Sequence, residues 1–366
     1  MRSILHAFQR AVHEKVFPGA VALVRSRGTV VFHEAVGTRG VPPDDQPVRR
    51  ESMYDLASLT KPLATSTATL CLVQDGCLHL DQPVSRWVEE LRDSPVAGVV
   101  LRQLLSHRSG LPAWRPYHEQ LAPAGLPPRN EEERRQRVHA LLNAIAREPV
   151  EYRPGSQSLY SDVGFMLLGV IVERCAGLPL AAYCRRRIFE PLGISSLAFI
   201  GGDDAETEDP AKIVPTEWDR WRNRLLCGEV HDENAYALGG SAGHAGLFGT
   251  AHAVGLLSAA WLQAVQGRDG FLSAALAKRF THRESGTSSW ALGWDTPSAP
   301  SSSGTRFSTR AFGHVGFTGT SLWIEPSREL EVIILSNRVH PTRTNTAIKT
   351  FRPHIHDAIW QEWGGR

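Results

Sequence analysis

Strand-like runs occupy only the two ends of this 366-residue sequence, and helical periodicity fills the stretch between them. That order constrains the fold more than any single motif, because strands need partners and here the partners lie at opposite ends of the chain. Near the start, Ile4, Leu5, Phe8 and Val12 share one helical face. Residues 19–37, GAVALVRSRGTVVFHEAVG, then read as two β-rich runs joined at a glycine-containing turn. At the other end, SWALGWDT, RAFGHVGF, TSLWIEP and ELEVIILSN give up to four further β-rich runs in a meander, followed by a helix near 345–362. The middle carries the 3.6-residue period, as in EERRQRVHALLNAIA and SDVGFMLLGVIVERCAG. The expectation is an α+β fold. One antiparallel sheet, flanked by the N- and C-terminal helices, is built from residues 1–57 and 280–366, and a mainly helical lobe, 58–279, is inserted. Both lobes belong to a single domain spanning 1–366.

Charge and cysteine usage narrow the class. A formal net charge of +2, with no basic run interleaved with aromatics, gives no case for a nucleic-acid partner. No stretch approaches 18 uninterrupted apolar residues, so no membrane span is expected. The first residues lack the apolar core and small-residue cleavage site of a secretory signal. Five cysteines, an odd number without a CxxC pair, fit reduced thiols. A cytoplasmic protein without metal or organic cofactor is expected. HIH at 354–356 has no third ligand at helical spacing. Residues 201–250 are loop-rich, and a run that long in a compact domain often walls a binding site. Within it, VHDEN at 230–234 reads as a loop whose carboxylates face water, and GHAG around His244 as a turn before a helix.

Chemistry is concentrated in DLASLTKPLAT, residues 55–65. Lysine is scarce, five residues against thirty-five arginines, yet Lys61 stands three positions after Ser58. On a helix that spacing puts both side chains on one face. A helix beginning at Ser58 would place its hydroxyl among free backbone N–H groups, and Pro62 suits a first turn. LYSDVGF then sets Tyr160, Ser161 and Asp162 at the entry to an apolar helix, and FGHVGFTGT sets His314 and Gly316 in a glycine-containing strand run.

Ser-x-x-Lys, then Tyr-x-Asn, then Lys-or-His-x-Gly is an ordered set, and the sequence resembles the β-lactamase-related, penicillin-binding-protein-like serine hydrolases of class C type. FPGAVALV, SLTKP, LLSHRSGLP, YSDVGF, GHAGLFGTA and HVGFTGTSLWIEP carry the resemblance over roughly residues 17–340, in family order. The resemblance implies an acyl-enzyme route for an amide or ester bond, with Ser58 as nucleophile and Lys61 and Tyr160 sharing the general-base work. It places the oxyanion hole at the N–H groups of Ser58 and Phe317, and substrate contacts at Asp162, His314, Gly316 and Thr318. Expected substrates are small molecules or short peptides, such as a muropeptide, a D-amino-acid peptide, an ester or a β-lactam; the oligomeric state stays open. A sensor or binding protein of the same fold with little turnover, or a weak β-lactamase, is the alternative. Two positions depart from the family pattern: Asp162 stands where asparagine is usual, and His314 where lysine is common. A carboxylate would hold Lys61 in its charged form, and a histidine, only partly charged near neutrality, would make any carboxylate clamp pH-dependent.

Overall fold

In the computed structural model, which describes residues 1–41, 45–201 and 210–365, strand β1 (Gly19–Ser26) joins the two ends of the chain. On one side it pairs with its hairpin neighbour β2 (Thr29–Gly37). On the other it pairs with the late strand Leu330–Ser336, from Ala20↔Ser336 to Ser26↔Leu330. With β3 (Phe312–Val315), β4 (Ser321–Glu325) and that late strand as β5, the five-stranded antiparallel sheet has the order β2-β1-β5-β4-β3.

Strand periodicity sorts the side chains to two faces. Ala20, Ala22, Val24, Val332 and Ile334 pack against the terminal helices Arg2–His13 and Ile348–Ile359, through Ile4, Phe8, Ile355 and Ile359. Val21, Leu23, Ile333 and Leu335 point the other way, into the larger core shared with Val254, Leu257 and Trp261 of helix Ala251–Val265. With both faces covered, β1 and β5 are buried almost end to end, which explains their nearly unbroken apolar sequence. Each buried Val, Leu, Ile or Phe contributes roughly 1.5–3 kcal/mol. The register also sets Arg25 opposite Glu331 inside the core. Their charges lie 3.7 Å apart, Arg25 donates to the Gly255 carbonyl and Ser258 donates to Glu331.

Three sequence readings need correction. The first of the four late β-rich runs is not a strand: Gly293, at φ +83°, turns the chain so that Trp290 and Asp295 form only isolated bridges. The helix expected to begin at Ser58 begins as a 3₁₀ turn, Ala57–Leu59, and a π turn, Lys61–Ser66, before regular helix Thr67–Gln74. Pro62 has no N–H for a regular ladder, and its carbonyl accepts from the Thr67 hydroxyl five residues on. Lastly, the 201–250 region is not structureless. It contains helix Glu233–Ala237 and strand Leu247–Gly249, which pairs with Tyr54–Asp55 and Leu197–Phe199 in a small second sheet. Residues 202–209 of that region lie outside the described residues.

Candidate active site

The turn that presents Ser58 is held from several directions. Ala57 sits in the left-handed region at φ +47°, a conformation that surroundings must enforce for a residue with a Cβ. The buried Asp55 carboxylate does so, accepting from the N–H of Ala57 (2.8 Å) and of His231 (2.7 Å). The loop after β3 completes the hold: Thr318 donates to the Asp55 carbonyl (2.7 Å) and Thr320 to the Leu56 carbonyl (3.0 Å). Gly316 lies so close that a Cβ there would stand 2.6 Å from the Leu56 carbonyl oxygen. These contacts bring the first and third motifs together.

At the centre Ser58 Oγ accepts from two groups, the Tyr160 hydroxyl at 2.8 Å and Lys61 Nζ at 3.2 Å. Lys61 is wholly buried and also donates to Asp162 Oδ1 (2.6 Å) and the His244 carbonyl (3.1 Å). Burial alone would lower its pKa. The Asp162 carboxylate and the Tyr160 oxygen outweigh that effect and hold it above the ordinary lysine value. Burial pushes the Tyr160 phenol up to about 12, against the pull of Lys61. The resting site therefore holds an ammonium, a phenol and a carboxylate around the serine. Among the described backbone hydrogen bonds none uses the N–H of Ser58 or of Phe317. Two donors at such positions can receive a developing oxyanion.

Tyr160 and Asp162 are placed by the entry to helix Asp162–Ala176. Ser161 caps it, accepting from the Gly164 N–H, which leaves Asp162 free to reach Lys61. The buried His107 accepts the Ser161 N–H on Nδ1 (3.0 Å), and its ring packs against Tyr160 and Trp290 at centroid distances of 4.6 Å. Burial first, and Lys61 second, keep this imidazole neutral, well below the ordinary histidine value.

The substrate contacts expected at the third motif look different in the structure. His314 is buried, its Nδ1 lies 2.8 Å from the Val315 carbonyl, and burial reinforced by Lys61 lowers its pKa to about 3. Burial thus works against the partly charged, pH-dependent clamp expected at this position. Neither His314, Gly316 nor Thr318 lines the cleft above Ser58; the Thr318 side chain is spent on Asp55.

That cleft, about 370 Å³, is walled instead by Trp114, His118, Asp232, His244, Phe317 and Arg343 together with Ser58, Tyr160 and Asp162. The carboxylates of VHDEN thus do not simply face water. Asp232 Oδ1 caps helix Glu233–Ala237 through the Ala235 N–H and lies 2.8 Å from His244 Nε2. Burial would raise its pKa, but His244 and that N–H outweigh it and hold Asp232 below the ordinary carboxylate range. Glu233 takes an Arg343 N–H at 2.8 Å, and Arg343 also donates through its backbone N and Nε to Glu217. The sequence marked the 201–250 run as a possible wall of a site, but not these pairings, because Arg343 and Glu217 lie more than a hundred residues apart in the chain.

A family model described as Beta-lactamase matches residues 5–354. An Escherichia coli (strain K12) protein named "Putative D-alanyl-D-alanine carboxypeptidase" is 31% identical over 367 residues, covering 92% of this chain and 82% of its own length. Among solved structures, an octameric penicillin-binding protein homologue from Pyrococcus abyssi superposes with a TM-score of 0.76 at 20% identity, over 99% of this chain and 77% of its own. EstCE1, titled a hydrolase with promiscuous acyltransferase activity, superposes with a TM-score of 0.74 at 23% identity over 98% of both chains. At those identities the two structures speak for the fold.

Proposed function

This chain belongs to the beta-lactamase family, and on that premise we propose that it is a serine hydrolase cleaving an amide or ester bond through an acyl-Ser58 intermediate. The observation that carries this is the convergence of Tyr160 and Lys61 on Ser58 Oγ beside two unengaged backbone amides. As Oγ bonds to the scissile carbonyl carbon, the serine proton passes to the Lys61–Tyr160 pair. The N–H groups of Ser58 and Phe317 hold the oxyanion. The C–N or C–O bond then breaks as Tyr160 returns the proton to the leaving group, and water releases the acyl group by the reverse sequence. Because the resting pair is an ammonium and a phenol, it must first shed a proton, so activity rises on the alkaline side.

The substrate is a cell-wall-derived or D-amino-acid peptide or a small ester. Its relation to a protein named as a carboxypeptidase and its likeness to EstCE1 support that range. We place the reaction in the cytoplasm, a reading supported by five cysteines of which none forms a disulfide. A second reading, a binding protein that acylates but scarcely turns over, draws on the Asp162–Lys61 pair, which disfavours a neutral lysine base.

The test is labelling with a fluorophosphonate, with intact mass and p-nitrophenyl butyrate turnover measured on wild type and Ser58→Ala. A single adduct on Ser58 with steady ester hydrolysis is expected, both lost in Ser58→Ala while its circular dichroism is kept. A variant that still hydrolyses the ester overturns the assignment. A Ser58 adduct formed without ester turnover favours the second reading. EDTA should leave turnover unchanged, since among the described residues no three His, Cys, Asp or Glu side chains are grouped to hold a metal.

A further inference from the structure

We infer that Arg352 is a positioning residue of the reaction: from helix Ile348–Ile359 it holds and polarises the peptide unit whose N–H, that of Phe317, receives the oxyanion. This rests on the serine-hydrolase reading, in which the N–H groups of Phe317 and Ser58 stabilise the tetrahedral intermediate.

A backbone donor is half of a peptide, and its other half is a carbonyl. The N–H of Phe317 lies in one plane with the Gly316 carbonyl. Arg352 Nη2 donates to that carbonyl oxygen at 2.8 Å and to the Thr320 carbonyl at 2.9 Å, so a single nitrogen closes the turn 316–320 from behind. The next carbonyl, of Phe317 itself, accepts from Arg338 Nε at 2.7 Å. Because the peptide is rigid, fixing its C=O fixes the direction of its N–H. A charged donor on the oxygen also draws electron density across the peptide and leaves the N–H a stronger donor.

The turn does not need this guanidinium to satisfy its backbone. The Gly316 carbonyl also accepts the Gly319 N–H at 3.2 Å, and the Thr320 carbonyl accepts the Gly316 N–H at 2.7 Å. Nor does a counter-charge account for it. Arg352 is 7% exposed, no ion pair among the described residues includes it, and its charged neighbour is another cation, Arg338. Burial, reinforced by Arg338, lowers its pKa to about 9, which leaves it charged at neutral pH. A buried cation with no acid beside it carries a desolvation cost that carbonyl dipoles return only in part. The negative charge it can answer is the one that develops a single peptide away, on the oxyanion.

The experiment compares Arg352→Met, an unbranched side chain without donors or charge, with Arg352→Lys, whose three-donor nitrogen can serve the same two carbonyls. Each is assayed for p-nitrophenyl butyrate turnover and for inhibition by phenylboronic acid, which bonds Ser58 Oγ as a tetrahedral anion. Arg352→Met should lower kcat about 10–100-fold, less than the roughly 10²–10³ that loss of a whole oxyanion donor costs. KM should stay within about threefold, since the lost interaction belongs to the transition state. The inhibition constant of phenylboronic acid should rise by the factor by which kcat falls, because the boronate oxygen takes the place of the oxyanion. Arg352→Lys should recover about tenfold in kcat over Arg352→Met by restoring a donor to the carbonyls. Unchanged kcat in Arg352→Met, a rise in KM in place of the fall in kcat, or an unmoved boronate constant overturns the inference. So does an Arg352→Lys variant no faster than Arg352→Met. Loss of the folded circular dichroism in Arg352→Met would make the arginine structural and overturns it too. All of these are read against a wild type that turns over the ester and forms the Ser58 fluorophosphonate adduct. A wild type that does neither brings down the serine mechanism itself, and this inference with it.

Discussion

In the proposed mechanism, Asp162 is the residue on which the acid–base chemistry turns. Its carboxylate keeps Lys61 charged, so the fraction of enzyme able to accept the Ser58 proton grows with pH. Asp162→Asn removes that charge and leaves an amide oxygen still able to accept from Lys61. The alkaline rise in kcat/KM should then move to lower pH by about one unit for each 1.4 kcal/mol of lost charge stabilisation. Paired pH–rate profiles with one ester test this, and superimposable curves would show that Asp162 does not tune the base. Stability has its own sign. A lysine whose folded pKa is raised gives stability fully present below its unfolded value, about 10.4, and lost as pH rises through the folded one. The variant should therefore lose of order 1–3 kcal/mol at neutral pH, seen in urea unfolding, with the deficit fading at strongly alkaline pH. Tyr160→Phe removes the phenol that touches Ser58 Oγ, and kcat should fall roughly 10²–10⁴-fold with little change in thermal midpoint.

At the scale of elements, the site depends on a close crossing of helix Asp162–Ala176 with the loop that carries His244. Gly169 and Gly243 face each other there: a Cβ on Gly169 would lie 2.8 Å from the Gly243 N, and one on Gly243 would lie 2.0 Å from the Phe165 carbonyl oxygen. The same loop accepts Thr65 Oγ1 on Gly243 (2.6 Å) and Lys61 Nζ on His244. Gly169→Ala must push the loop outward and loosen the carbonyl contact that helps hold Lys61. Overpacking of this kind costs about 1–3 kcal/mol, and kcat should drop along with the melting temperature. Gly177, the left-handed C-cap of the same helix, has open space around its Cβ position and offers a control. Gly177→Ala should lower stability through backbone strain alone and leave kcat at the wild-type value.

Across the whole molecule, the β1–β5 pairing ties the first residues of the chain to the last, and Arg25–Glu331 sits inside that seam. Arg25→Ala would leave Glu331 buried without its counter-charge, a loss of about 3–5 kcal/mol. The double replacement Arg25→Met with Glu331→Leu should recover most of it, because an apolar pair of similar size incurs no charge desolvation. Urea denaturation of wild type, Arg25→Met, Glu331→Leu and the double variant closes a double-mutant cycle that measures the coupling. A double variant as weak as Arg25→Ala would mean that the seam needs its charges for more than mutual neutralisation.

The sequence by itself determined what depends on short-range pattern. β-rich runs at both ends marked the strands of the five-stranded sheet, the first late run excepted, helical periodicity placed the helix at Asp162–Ala176, and the three-residue spacing brought Ser58 and Lys61 to one side of a turn. Such features follow from backbone geometry within a few residues. The order of the three motifs, through family resemblance, also anticipated that Tyr160 and Asp162 would meet Ser58 and Lys61. Tertiary structure decided the charges. Whether His314 is ionised depends on how deeply β3 is covered, and whether Lys61 is a base or an ammonium depends on a carboxylate a hundred residues away in the chain. The same holds for the cleft wall, where Asp232, His244 and Arg343 acquire their roles only from partners the fold brings within 3 Å. Burial and charge pairing are properties of the packed neighbourhood, and no local run of residues encodes them.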